Sequence, residues 1–404
     1  MHTDAHDVIV VGAGPAGSVA AAVLARQGSD VLLLDRHPFP RDKACGDGIP
    51  PGTIEILNDI GMADKIRSAG FYTIDRILLG SPRGRIWEID FAPRKASGQF
   101  YIAPRHHFDA LVQEHAVATG AQFRLADVRG PLVEDGSVSG VHAIIDGREE
   151  TIRSRVVIGA DGATSVIARA LRGARPPRRS RGVALRAYVE GFSALSHTVE
   201  FYFRRELLPG YAWVFPLGES RANVGVMVRA DRYAERGRPL RELFDQFLQL
   251  SEIKSRLGSD ARVSEVATWQ LPYAENVHPR RTYDGALLVG DAGSLVDALT
   301  GEGIHNAVAS GVIAAQSAAG ALRKGDVSRA GLAEYDRRCD SELGALIRRS
   351  ERAQRFLDRF PLGLELLFAG AGAGGRLVEA WINRVSTDFV AGPGGPTLVE
   401  RGAG

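Results

Sequence analysis

Apolar positions fall into short unbroken blocks at the start of the chain. "DVIVV" (7–11) and "DVLLLD" (30–35) each hold a run of four apolar residues bounded by glycine or acidic residues. Such runs predict strands buried on both faces, the pattern of a parallel sheet. Between them, "SVAAAVLARQG" (18–28) predicts an apolar helix ended by Gly28. The strand-into-glycine pattern returns in "RVVIGADG" (155–162) and "ALLVGDAG" (286–293), and a long small-residue helix is predicted after Gly303. The middle of the chain reads differently. "TVEFYF" (198–203), "YAWVFP" (211–216) and "ANVGVMV" (222–228) predict consecutive strands of a mostly antiparallel sheet, followed by a helix over "RELFDQFLQL" (241–250). In "LLPGYAWVFPLG" (207–218), Tyr211, Trp213 and Phe215 alternate with smaller residues. A strand turns alternate side chains to one face, so these rings form a wall. Such a wall suits a pocket for an apolar ligand, or the interior of the sheet.

The expected fold is therefore α/β: a Rossmann-like nucleotide-binding domain with an inserted antiparallel-sheet substrate domain and a helical C-terminal region. The segments are 1–75, 104–180 and 281–325 for the first and 76–103 with 181–280 for the second. Helices are expected over 326–390 and a disordered tail over 391–404. The Arg-rich stretch 172–182 reads as a solvated crossing between domains. The chain has 404 residues, 45% hydrophobic and 24% charged, with a net charge of +2. That composition is globular and speaks against nucleic acid as a partner. Cys45 and Cys339 have neither metal spacing nor a disulfide pattern, which fits a reducing compartment and no metal site. No secretory signal and no apolar run of transmembrane length stand out, so a cytoplasmic location is expected. "RRSERAQRFLDRFPLGLELLF" (348–368) joins basic residues to an apolar end. It either rests on an anionic membrane surface or covers the nucleotide-binding domain.

GxGxxG occurs at 12–17 and at 370–375. The first follows a strand, opens a helix and has Asp35 at the end of the next strand, which completes a dinucleotide-binding unit. Gly12 permits the turn, Gly14 lets backbone approach a pyrophosphate, Gly17 lets helix and strand pack closely, and Asp35 can accept from a ribose diol. The second copy follows a helical pattern and lacks the succeeding strand. It reads as a turn between helices, leaving no dedicated second fold for a nicotinamide.

GxGxxG, the central Asp161-Gly162 and the late Gly290-Asp291 come in the order found in glutathione-reductase-like flavoproteins of the aromatic-hydroxylase type, which this sequence resembles. The resemblance implies non-covalent FAD, held by Gly12, Gly14, Pro15, Ala16, Gly17, Asp35 and Arg36. It adds Lys43, Cys45, Gly46, Arg105, Val128, Asp161, Gly162, Gly290 and Asp291, with Gly301, Gly303 and Ile304 against the flavin pyrimidine. Within that superfamily, "FPRDKACGDGIPP" (39–51), "LPGYAWVFPLG" and "TGEGI" (300–304) are similar to the geranylgeranyl reductase family, including its menaquinone reductases. The family usually has Pro where this chain has Ala298, and often an aromatic residue at His305. The resemblance implies hydride transfer from reduced FAD to prenyl double bonds. Tyr211, Trp213, Phe215, Cys45 and His305 would contact substrate, with Cys45, Tyr211 and Trp213 as catalytic candidates. It also implies an isoprenoid or other apolar substrate and a transient electron donor, NAD(P)H or ferredoxin-like. An oxygen-using hydroxylase or halogenase is the alternative. Halogenases of this fold carry Trp-x-Trp-x-Ile-Pro, where this chain has Tyr211, Trp213 and Phe215.

Overall fold

The computed structural model describes residues 5–90, 99–174, 176–274, 280–360 and 363–365. Strand His6–Val11 lies at the centre of a parallel sheet, between Arg148–Gly159 and Val31–Asp35, with Gln122–Leu125 and Ala286–Leu288 outside them. Its unbroken apolar run is explained by this position. Val8 and Val10 enter the core under the helices, while Ile9 and Val11 enter the core on the other face. Helices Pro15–Arg26 and Ile304–Lys324 pack in the first core. Gly17 is required there, because a Cβ would stand 1.9 Å from the Gly12 carbonyl oxygen.

A seven-stranded sheet forms the second layer, in the order Leu257–Pro272, Arg181–Phe192, Arg221–Arg229, Ala212–Pro216, Thr198–Tyr202, Arg76–Gly80, Ile86–Asp90. All neighbours are antiparallel except Thr198–Tyr202 with Arg76–Gly80. One face carries Ala212, Val214 and Val224 against Phe244 and Phe247 of helix Leu240–Leu248. The other carries Tyr211, Trp213, Phe215 and Phe201. Phe100–Ile102 falls in the stretch expected for the substrate domain, yet it pairs with Gly48–Ile49 and Tyr72–Ile74 in a separate three-stranded sheet. Its buried Phe100 and Ile102 close the core facing the aromatic wall.

Helices Glu334–Glu342 and Gly344–Arg359 follow. Tyr335, Cys339, Leu343 and Ile347 pack into the core beside helix 304–324, and Leu357 packs with Leu208. Cys339 is therefore a core residue. Asp358 pairs with Arg229 and Arg232, tying the last helix to the seven-stranded sheet. The Arg-rich crossing is only partly solvated: Arg172 donates to Ser294 Oγ at 3.1 Å. The second glycine motif and the tail 391–404 lie outside the described residues.

Candidate active site

The loop 12–14 leads into helix 15–26, whose N-cap Gly14 supplies no side-chain cap. Its first N–H groups are left for an anion. Asp35 is buried at the end of its strand and accepts from the backbone N–H of Ala13 and His37 at 2.8 and 2.9 Å. Arg36 is exposed beyond it, and Val128 lies buried with Leu34 and Ala126. Asp161 caps a helix start. Its carboxylate accepts from Ser165 Oγ at 2.5 Å and from the N–H of Val166 and Ile167. Those are orphan donors of helix Val166–Arg172, so the side chain is spent on a helix start. It shapes the Gly162 turn.

The segment 41–47 is pinned at almost every residue. Arg41 donates to Asp109 at 3.1 Å, Asp42 pairs with Arg186, and Lys43 pairs with Asp291 at 3.0 Å. Arg105 makes a two-pronged pair with the fully buried Asp109. Burial opposes the charge on Arg105, but the Asp109 carboxylate outweighs it and keeps the guanidinium protonated. Burial pushes the Cys45 thiol up, and the neighbouring Arg105 pulls partly the other way. Cys45 therefore holds its proton at neutral pH.

Opposite stands the aromatic wall. The Tyr211 and Trp213 centroids are 6.1 Å apart, those of Trp213 and Phe215 6.2 Å. Phe201 stands edge-on to Tyr211 and to Phe215 at 5.1 Å each. Trp213 lies across its neighbour strand because position 225 has no side chain; a Cβ there would meet the indole at 2.2 Å. Gly46 approaches the wall so closely that a Cβ would be 3.0 Å from the Phe215 ring. Tyr211 donates its hydroxyl to the Thr300 carbonyl, which links the wall to the loop before helix 304–324.

That loop is held from within. Buried Asp297 accepts from the N–H of Leu299 and Thr300 and from Thr300 Oγ1. Glu302 accepts from the His305 N–H at 2.6 Å, and burial pushes its carboxyl up to about 7. The Gly290 N–H is taken by Ser310 Oγ at 3.0 Å.

These elements enclose one cavity of about 1020 Å³, counting the part open to solvent. Of the expected residues, Pro15, Lys43, Cys45, Gly46 and Arg105 line it on one side, and Tyr211, Trp213 and Phe215 on another. Asp291, Gly301, Gly303 and Ile304 complete the ring. His305 does not line it. One position along the helix from Ile304, it turns into the protein, 6% exposed, and burial lowers its imidazole to about 4. Gly12, Gly14, Ala16, Gly17, Asp35, Val128, Asp161, Gly162 and Gly290 also lie off this cavity.

Several residues escaped sequence reasoning. Arg186, Met227 and Trp269 line the cavity, and Asp47, Tyr188 and Asn223 form a buried network beneath it. A lone Asn in the apolar run "ANVGVMV" was the available signal, since a buried amide demands partners.

A dinucleotide cradle opening into an aromatic-walled cavity defines a flavoprotein oxidoreductase. The chain matches the family described as FAD binding domain over residues 5–350. It is 35% identical over 355 residues to digeranylgeranylglycerophospholipid reductase 2 of Methanopyrus kandleri, covering 86% of each chain. It is 33% identical to menaquinone reductase of Mycolicibacterium smegmatis, covering 78% of this chain and 76% of the relative. The structure superposes on a geranylgeranyl bacteriochlorophyll reductase-like protein from Thermoplasma acidophilum with a TM-score of 0.79 at 25% identity, covering 98% and 94% of the two chains. The chain belongs to the geranylgeranyl reductase family of FAD-dependent oxidoreductases. The residues present fit that cofactor: an uncapped helix start at Pro15, a glycine turn too tight for any Cβ, and the Gly301–Gly303 loop around one cavity.

Proposed function

We propose that this protein saturates carbon–carbon double bonds of a prenyl chain, such as a geranylgeranyl lipid or the menaquinone side chain. The observation that carries this reading is the wall of Tyr211, Trp213 and Phe215 facing Cys45 and Gly46 across one apolar cavity. A prenyl alkene offers no hydrogen-bond handle, so shape and apolar contact must hold it. Bound FAD, once reduced, supplies a hydride; the electron pair goes to one alkene carbon and a proton must reach the other. Positive charge develops at the more substituted carbon, where each aromatic face stabilises it by roughly 0.5–2 kcal/mol. Cys45, protonated and lining the cavity, is the proton source in this reading, and its thiolate is then held beside Arg105. The cofactor residues are those named above that line the cavity or form the cradle.

Reducing equivalents come from a transient donor, NAD(P)H or a ferredoxin-like protein. A lipid substrate brings the protein to the membrane periphery on the cytoplasmic side; among the described residues no helix is long and apolar enough to cross a membrane. The test is anaerobic. Photoreduced enzyme mixed with prenyl lipids should yield a product heavier by two hydrogens. Strict dependence on oxygen, with an added oxygen or halogen in the product, would instead establish the hydroxylase or halogenase alternative.

A further inference from the structure

Asp47 is fully buried and sits at φ 64°, in the left-handed region that side chains rarely adopt. Its Oδ2 accepts from Tyr188 Oη and from Asn223 Nδ2, both at 2.8 Å. The same Asn223 amide donates to the Cys45 carbonyl at 2.7 Å, and its Oδ1 accepts from Trp213 Nε1 at 2.9 Å. The orientation of that amide is dictated by its neighbours. An indole N–H only donates, so the amide oxygen must face Trp213 and the amide nitrogen must face Cys45 and Asp47. Asp47 Oδ1 has no hydrogen-bond partner among the described residues.

Four residues thus join the two sides of the cavity. Cys45 and Asp47 belong to the strap after the second strand, and Asn223 and Trp213 to the seven-stranded sheet. Asp47 itself is not among the residues lining the cavity. We infer that Asp47 is a positioning residue: through Asn223 it holds the Trp213 indole and the Cys45 backbone in register across the cavity. The inference rests on the alkene-reducing reading for its effect on turnover, but the positional link itself does not.

The link responds to charge. Ionised, Oδ2 makes charge-assisted hydrogen bonds, roughly twice as strong as neutral ones. Burial raises the Asp47 carboxyl to about 6, while hydrogen bonds from Asn223 and Tyr188 and the charges of Arg186 and Arg105 work the other way. Arg105 comes from helix 105–118 and Arg186 with Tyr188 from strand 181–192; the Cys45 thiol and the Asp42 carboxylate, which pairs with Arg186, are titratable neighbours on the strap. Because Oδ2 already accepts twice, a proton arriving as pH falls belongs on Oδ1.

The direct readout is the Trp213 indole N–H resonance in protein carrying ¹⁵N-tryptophan, assigned by its loss in Trp213→Phe. It should titrate with a midpoint near 6 in the wild-type chain. The titration should vanish in Asp47→Asn, which keeps an acceptor for Asn223 and Tyr188, and the resonance should move or broaden in Asp47→Ala. In the prenyl-reduction assay, Asp47→Ala should lower kcat about tenfold with FAD content unchanged, and Asp47→Asn should restore most of it. A Trp213 resonance indifferent to both substitutions overturns the inference. So does a loss of kcat in Asp47→Asn as deep as in Asp47→Ala, because that marks Asp47 as the acid itself. If no prenyl lipid is reduced yet the resonance behaves as stated, the positional link stands and the functional reading fails.

Discussion

Lys43 Nζ lies 3.0 Å from the Asp291 carboxylate and 5.6 Å over the Trp269 ring. The pair closes the cavity between the strap that carries Cys45 and the end of strand 286–288. It brings the late Gly-Asp of the cofactor fold against a residue of the reductase-like segment. Both partners are partly exposed, so the pair itself adds little stability. Its consequence lies in fixing the Asp291 carboxylate at the edge of the cavity proposed to take FAD.

Asp291→Ala should therefore weaken FAD retention about ten- to a hundredfold, the loss of one hydrogen bond to a charged group. Lys43→Ala should weaken it less, because the carboxylate remains. Titration of apoprotein with FAD, followed by flavin fluorescence, checks both. Equal affinity in all three proteins would remove Asp291 from the cofactor site.

Trp213→Ala should cut turnover of a prenyl substrate more than tenfold while leaving FAD affinity within about twofold, since the ring lines the cavity on the wall opposite the strap. Truncating a buried aromatic residue also costs about 3–5 kcal/mol of stability. Turnover must therefore be read at a temperature where the variant is folded. Normal turnover with stability alone reduced would make the ring a core residue.

Arg105→Met should destabilise the fold by about 3–5 kcal/mol, because among the described residues it leaves the buried Asp109 paired with Arg41 alone. The double change Arg105→Met with Asp109→Leu should recover much of that loss. Denaturant unfolding of the three apoproteins measures it, and a double variant weaker than the single one contradicts the account.

Glu302 makes stability depend on pH. Its folded carboxyl is raised to about 7 from the ordinary 4.5, so the folded state binds the extra proton. That contribution is complete below about pH 4.5 and is lost as pH rises through 7. Glu302→Gln keeps an acceptor for the His305 N–H and has no proton to lose. Between pH 5 and 8 the wild-type apoprotein should lose roughly 2–3 kcal/mol relative to this variant. Parallel stability curves for the two proteins would refute the assignment.

Cys45 should alkylate slowly at pH 7.5 and faster above pH 9, because burial keeps it a thiol. Cys339, pushed up to about 12 in the core, should stay unmodified while the protein is folded. Mass spectrometry of iodoacetamide-treated protein distinguishes the two sites. Rapid labelling of Cys45 at pH 7.5 would mean a thiolate, and a different proton source.

Local pattern was enough for much of the fold. Unbroken apolar runs announced the parallel strands, because a strand covered on both faces has no polar side to show. The alternation from Tyr211 to Phe215 announced a one-sided ring face, because strand geometry turns every second side chain the same way. GxGxxG announced the turn from strand to helix because Gly12 and Gly17 leave no room for a Cβ there. None of these readings needed residues distant in sequence.

The site needed them. Whether Tyr211, Trp213 and Phe215 filled a sheet interior or walled a cavity depended on what stood opposite, and the strap at 41–48 supplied that. His305 falls off the cavity although its sequence neighbours Ile304 and Gly303 line it, because a helix turns successive residues by about 100°. The hold of Asp161 on the start of helix 166–172 was not legible in the Asp-Gly motif, because it depends on where the folded chain sets those N–H groups. Asp47, Tyr188 and Asn223 carried no motif that declared their link to Trp213. Strand periodicity and glycine sterics act over a few residues and are written locally in the chain. A buried hydrogen-bond network is satisfied by whichever donors and acceptors the folded backbone brings within 3 Å, and only tertiary structure decides which those are.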